Sequence, residues 1–428
     1  MHKRDKQELL AAIEADKESQ IAFLQALIRA PSPNPPGDTT HAAEAVRNYL
    51  HDRGVPTRTI GPKAHLPNIV SDFNGLQGPG PRVIMNGHMD VFPVAAGDSD
   101  NWKHGPWSGF NDGTHIFGRG AVDMKAGTAA SCIAYSYLHE RRKYLKGSLA
   151  LTAVSDEETG GKWGSRWLLD QGRQEGSWRG DCMINAEPSG LQSIRFSEKG
   201  TLRLTFTIRT PGAHGAYLHL SEGANRVAAR LIAALTSVED IVPPHIPDSI
   251  KEHLQKPEVR AVMDEIMGKG AADIALKPTL NIGTLHGGLK VNMIPDLCVM
   301  EADIRLPIGL TADFVLEHIH SLLKSFPEVE LAVQEAASNP ASYCAIDHPL
   351  LKAISHNAEI VTGRKPLGIP SLGATDCKFW RYVGVPAYSF GVSPETMAAR
   401  DERVVIEEFL SVVKTHALAV WDYIGEPG

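Results

Sequence analysis

Residues 147–161 read GSLALTAVSDEETGG. The run Leu149–Val154 has no polar alternation, so it reads as a strand covered on both faces. It ends on three consecutive acids, Asp156, Glu157 and Glu158, and then two glycines. Folded chains normally keep such charges apart and in water. An isolated acidic triplet is most simply a solvated turn, so its meaning depends on what other segments bring beside it.

Working outward, two more apolar runs have the same character. VIMNGHMDVFP (83–93) ends on His88 and Asp90, and DCMINAEPS (181–189) ends on Glu187. GRGAVDMKAG (118–127) places Asp123 just before a helix start. Residues two apart on a strand share a face, and a His beside a carboxylate suits a metal ligand held by a partner. Ligands of open α/β sheets gather outside the carboxyl ends of the strands. One His with several carboxylates is an oxygen-rich donor set suited to zinc, manganese or cobalt. Competing motifs fail. The GxG at Gly118 and Gly120 is followed by Asp123 where the dinucleotide fingerprint needs glycine, and GGKW lacks the first glycine of a phosphate loop.

The pattern around these runs predicts an α/β fold with a mixed sheet flanked by helices. TLRLTFTIRT (201–210) differs: Leu202, Leu204, Phe206 and Ile208 alternate with polar residues, as in an antiparallel strand with one wet face. From there the order strand, helix (224–235), strand, strand, helix (312–323), strand predicts a small α+β domain inserted at 200–336, with 1–199 and 337–428 forming the catalytic domain. Within the insert, 241–257 reads as an irregular excursion, and the N-terminal 28 residues read as an amphipathic surface helix. A chain of 428 residues with net charge −7 disfavours nucleic acid or anionic membrane as the main partner. No apolar run is long enough to span a bilayer. Five scattered cysteines without a CxxC pair argue against a disulfide framework or thiolate zinc site and fit the cytoplasm.

Together, GHMDVFP, GRGAVDMKAG, DEETGG, NAEPS and the later TPGAHGAYLH (210–219) resemble, in order along the chain, a family of dinuclear metallopeptidases and deacylases. It includes acetylornithine deacetylase, succinyl-diaminopimelate desuccinylase, aminoacylase and carboxypeptidase G. The resemblance implies a zinc-peptidase-like catalytic domain with a ferredoxin-like lid and dimerisation insert, and hence a homodimer or higher homo-oligomer. It implies that His88 and Glu187 bind one metal, Asp123 bridges two, Glu158 binds the second, and Asp90 orients the His88 ring. The peptide bond after Asp123 is often cis in the family. Glu157 would be the general base, taking a proton from activated water and returning it to the leaving nitrogen, and His214 would stabilise an oxyanion in a partner subunit's site. Asn292 and Arg305 match lid positions that contact a substrate carboxylate, although a strand-end salt bridge explains Arg305 nearly as well. In SLGATDCKF (371–379), Gly373 and Thr375 match a substrate loop.

One departure stands out. The family carries a His three residues before an Asp-Glu pair near the C-terminus, as a ligand of the second metal. Here the pair is Asp401-Glu402 and the matching residue is Ala398. The expectation is therefore one firmly bound divalent ion, with a second weak or absent. The substrate is expected to be a small carboxylate-bearing molecule cleaved at a C–N bond, an N-acyl amino acid or dipeptide by family default. The loss at Ala398 encourages an alternative, release of ammonia from an aromatic amine, as in the family's aminohydrolase of nitroanthranilate. A non-catalytic ligand-binding relative is the second alternative.

Overall fold

The structure, a computed structural model, describes residues 2–171 and 178–425. The chain divides into two compact units, Met1–Phe196 with Cys344–Ile369 and Thr375–Gly428, and Ser197–Tyr343 with Pro370–Ala374. The second unit extends the expected 200–336 to Ser197–Tyr343 and adds Pro370–Ala374.

The first unit is built on a mixed sheet. Seven of its nine strands are β1 (Arg58–Ile60), β2 (Asn68–Asn74), β3 (Arg82–His88), β4 (Ser148–Val154), β5 (Cys182–Asn185), β6 (Ser193–Glu198) and β7 (Ala387–Ser389). They lie in the order β1-β2-β4-β3-β5-β7-β6. Strand β3 runs parallel to both β4 and β5, with His88 level with Val154 and Asn86 level with Asn185. Three carboxyl ends therefore finish side by side. The helix Ala126–Glu140, buried from Ala126 to Leu138, covers one face. On the other, Leu168, Trp178 and Trp380 pack with Ile84, Ala150, Val154 and Met183. Burial on both faces explains why these strands read as uninterrupted apolar runs. Gly127 allows the helix start to approach β5: a Cβ there would lie 2.3 Å from the Ala186 carbonyl oxygen.

The second unit holds a four-stranded antiparallel sheet in the order Thr279–Gly287, Leu297–Leu306, Gly200–Arg209, Val329–Val333. With the helices Ala224–Leu235 and Ala312–Leu323 this is the ferredoxin-like βαββαβ arrangement. Leu202, Leu204, Phe206 and Ile208 form part of its core, as their alternation predicts.

Two local expectations change. The 241–257 excursion is largely helical at its end: Asp248–Gln255 and Pro257–Met267 are helices that bury Ile250, Leu254, Val259, Val262 and Met263. Pro257 begins the second of these, where its missing N–H costs nothing. The N-terminus forms two helices, His2–Ala15 and Lys17–Ile28, and the second buries Leu24, Leu27 and Ile28 completely. The break falls at Asp16, whose carboxylate accepts hydrogen bonds from Arg53 and Tyr137. All five cysteines are free and buried. Among the described residues no helix is long and apolar enough to cross a membrane.

Candidate metal centre

The carboxyl ends of β3, β4 and β5 bring His88, Glu157, Glu158 and Glu187 together, and the turn before helix 126–140 adds Asp123. His88 Nδ1 lies 2.8 Å from the Asp90 carbonyl oxygen. That contact makes Nδ1–H the donor and turns Nε2 toward the acids. Nε2 is 3.2 Å from Asp123 Oδ1 and 3.3 Å from Glu187 Oε1. Two sets of potential ligand atoms, His88/Glu157/Glu187 and His88/Asp123/Glu158, each lie within 4.8 Å of one another. Both share one imidazole.

These atoms lack the partners that burial normally demands. His88 Nε2, Glu158 Oε1 and Glu187 Oε1 are buried without an aligned hydrogen bond. Unpartnered buried carboxylates side by side are strongly unfavourable. A divalent cation satisfies them together, and imidazole plus carboxylate oxygens is a suitable donor set for one.

Electrostatics point the same way. Burial raises the pKa values of Glu157, Glu158 and Glu187, and the nearby Asp123 charge raises those of Glu158 and Glu187 further. Burial opposes charge on His88, but Asp123 and Glu187 outweigh it and lift its pKa well above the usual value. The metal-free folded state thus holds protons that the unfolded chain releases above about pH 4.5. Stability of the metal-free protein should fall as pH rises through the raised carboxylate values, by about 1.4 kcal/mol per pH unit for each extra proton. Metal competes with those protons and reverses the trend. The difference in Tm between metal-loaded and metal-free protein should therefore widen between about pH 5 and about pH 8; a constant difference would mean that the cluster carries no extra protons.

A tier of buried groups holds the cluster in place. The Asp90 carboxylate accepts from the backbone N–H groups of Glu157 (3.1 Å) and Glu158 (3.1 Å), and from Asn34 Nδ2 (2.9 Å). Its Oδ1 stands 3.6 Å from His88 Nδ1, so ring orientation comes from the Asp90 carbonyl while the carboxylate tethers the acidic turn. That turn begins at Asp156, in the left-handed region at φ 75°, with its Oδ2 accepting from Trp163 N at 3.0 Å. Glu402 does the equivalent work for Asp123. Its Oε1 accepts from Val122 N (2.9 Å) and Asp123 N (3.1 Å), and its Oε2 from Arg119 Nη1 (2.7 Å). The Asp123–Met124 peptide is cis. Glu402→Ala would strand the buried Arg119 charge. It is expected to destabilise by about 3–5 kcal/mol and to weaken metal binding about 10- to 100-fold, measured by denaturant unfolding and metal titration. A variant unchanged in both would remove Glu402 from this role.

Sequence reasoning gave no role to Asn34, Glu402, Asp376 or Lys378. Asp376 is buried, accepts from Ser165 Oγ at 2.7 Å, and has Oδ1 without a hydrogen-bond partner. Lys378 Nζ lies 3.8 Å from Glu157 Oε1. Both stand within the quoted SLGATDCKF, where attention fell on Gly373 and Thr375. Thr375 Oγ1 accepts from Cys377 N at 3.1 Å, at the start of the helix Cys377–Tyr382.

The remaining candidates belong to the second unit. His214 and Asn292 are neighbours on a short hairpin, with Gly215 N donating to the Asn292 carbonyl at 2.8 Å. Both are exposed. The Arg305 guanidinium forks onto Asp303, with contacts of 3.0 Å and 3.0 Å, which is the salt-bridge reading. A side chain at Gly373 would meet open space. Ala398, in the first unit, is exposed and left-handed at φ 59°. Glu395 is exposed, and Asp401 Oδ1 accepts from Lys103 N at 2.8 Å. Among the described residues neither joins the potential ligand sets.

Comparison with known proteins was made with this geometry in hand. A model of peptidase family M20/M25/M40 matches residues 84–422. A succinyl-diaminopimelate desuccinylase of Methylorubrum extorquens is 27% identical over 398 residues, spanning 91% of this chain and 95% of that protein. An M20 family metallo-carboxypeptidase from Sulfolobus solfataricus has the same fold, with TM-score 0.78 at 18% identity over 94% of this chain and 99% of the other. A dinuclear metal-binding peptidase from Bacillus subtilis also shares it, with TM-score 0.65 at 16% identity over 96% and 99% of the two chains.

Proposed function

The chain belongs to peptidase family M20/M25/M40, a hydrolase family acting on amide C–N bonds, and on that premise we propose that it hydrolyses an N-acyl amino acid or dipeptide-type substrate bearing a carboxylate. The observation that carries this reading is the convergence of His88, Asp123, Glu158 and Glu187, with buried unpartnered ligand atoms, around Glu157. A cation held there would polarise the scissile carbonyl and lower the pKa of water. Glu157 takes the proton from water and delivers it to the leaving nitrogen. Asp90 keeps Glu157 and Glu158 in register, and Glu402 keeps Asp123 in place. His214 is read as an oxyanion-stabilising group, with Asn292, Gly373 and Thr375 as substrate contacts.

The desuccinylase relative supports an acyl group that itself carries a carboxylate. Assay of a panel of N-succinyl, N-acetyl and dipeptide substrates should yield amine plus acid. Ala398 favours a second reading: with no His there, substrate groups complete the coordination, and an aryl amine with an ortho carboxylate releases ammonia. Ammonia with a phenol as products, and no amide turnover, would select it. No turnover on either class with any divalent metal would leave a binding protein.

The shared imidazole and Ala398 support one firmly held ion per chain. Two ions retained per chain after exhaustive dialysis would overturn that count. Exposed Leu285, Leu289, Val291 and Met293 in the second unit support self-association of two chains; a monomer by sedimentation at micromolar concentration would refute it. Five buried free thiols support a cytoplasmic setting.

A further inference from the structure

Glu157 must accept a proton and return it, so its carboxylate has to be steered without being tied up. Asp90 fixes its backbone N–H at 3.1 Å, but that leaves the side chain free to rotate. Its carboxylate contact at ion-pair distance is Lys378 Nζ, 3.8 Å from Oε1, with the Lys378 side chain 7% and the Glu157 side chain 12% exposed. At that separation the ammonium attracts the carboxylate but makes no hydrogen bond to it, so the lone pairs stay available. The ammonium is itself anchored. Lys378 lies in the first turn of helix Cys377–Tyr382, its Nζ donates to the Thr375 carbonyl at 3.0 Å, and it sits over the Phe379 ring at 4.6 Å from the centroid. Asp376 is two residues away, buried and held by Ser165. Its carboxylate interacts electrostatically with the same ammonium. The charge of Lys378 also acts to lower the pKa values of both Glu157 and Asp376 against the effect of burial.

We propose that Lys378 is a positioning residue, whose anchored ammonium confines the Glu157 carboxylate to the orientation in which it meets water and then the leaving nitrogen. This rests on Glu157 being the base, as proposed above. A charge fixed on a short helix is suited to the task because a small displacement of a reacting group can cost about 100-fold in rate.

The test uses the full-length metal-loaded protein with Lys378→Met, close in size but uncharged, and Lys378→Arg, which keeps the charge. Lys378→Met should lower kcat about 10- to 100-fold with KM changed less than about threefold and metal content unchanged, and Lys378→Arg should recover most of the loss. An unchanged kcat, or a loss confined to KM, would overturn the proposal, the latter because it would make Lys378 a substrate contact. Crystal structures supply a readout separate from turnover. Glu157 should occupy one rotamer in the parent and in Lys378→Arg but several in Lys378→Met. One unchanged rotamer in Lys378→Met would overturn the confinement even if the protein proved inactive on every amide tested. If Lys378→Met fails to fold, the comparison passes to Lys378→Gln against Lys378→Arg, with the same outcomes deciding.

Discussion

Glu157→Gln is expected to remain folded, to retain its metal and to lose turnover by about 10²- to 10⁴-fold, the range typical of a missing general base. The amide fills the same space and keeps the Asp90 contact, because that contact is made by the backbone N–H of residue 157. It also removes a carboxylate whose burial is unfavourable. Stability should therefore hold or rise while catalysis falls. The measurements are kcat on the best substrate, metal content and Tm. Normal turnover would take Glu157 out of the mechanism, and loss of metal alongside turnover would recast it as a ligand.

His88→Ala should have the larger effect on metal. Both potential ligand sets depend on this imidazole, so one substitution weakens both. What remains is a buried group of carboxylates without their nitrogen donor. Metal affinity should fall by more than the roughly 100-fold caused by losing an outer partner, and activity should fall with it. Titration under a competing chelator measures the affinity. Retention of one tightly bound ion would show that the carboxylates alone form the site.

Much of this arrangement is legible in the sequence, for a physical reason. A strand buried on both faces cannot alternate, so β3, β4 and β5 announce themselves as apolar runs, and acids at their ends stand out because buried strands rarely end that way. The alternation at Leu202–Ile208 identifies the second sheet for the opposite reason. The tethers are less legible. Asn34 approaches Asp90 across 56 positions of chain, and Glu402 reaches Asp123 across 279. Asn34 has no spacing signal, and the Asp401-Glu402 pair marks a motif without pointing to the Asp123 backbone. Asp90 was readable as a partner of His88, but the division of labour between its carbonyl and its carboxylate appears only when the turn at 156–158 folds over it. Lys378 carries no signal in the sequence; the helix Cys377–Tyr382 sets its ammonium against Glu157. The helices at 248–267 were hidden by prolines that look like breakers but stand at helix starts.

The double tether at Asp90 has a consequence for anyone re-engineering this chain. One carboxylate grips two adjacent amides, so Glu157 and Glu158 move as a single piece. Lengthening that side chain by a methylene, as in Asp90→Glu, would displace both at once, and no single compensating change downstream could restore one without disturbing the other. Mutational libraries aimed at new substrates should hold position 90 constant and diversify the mouth of the site instead.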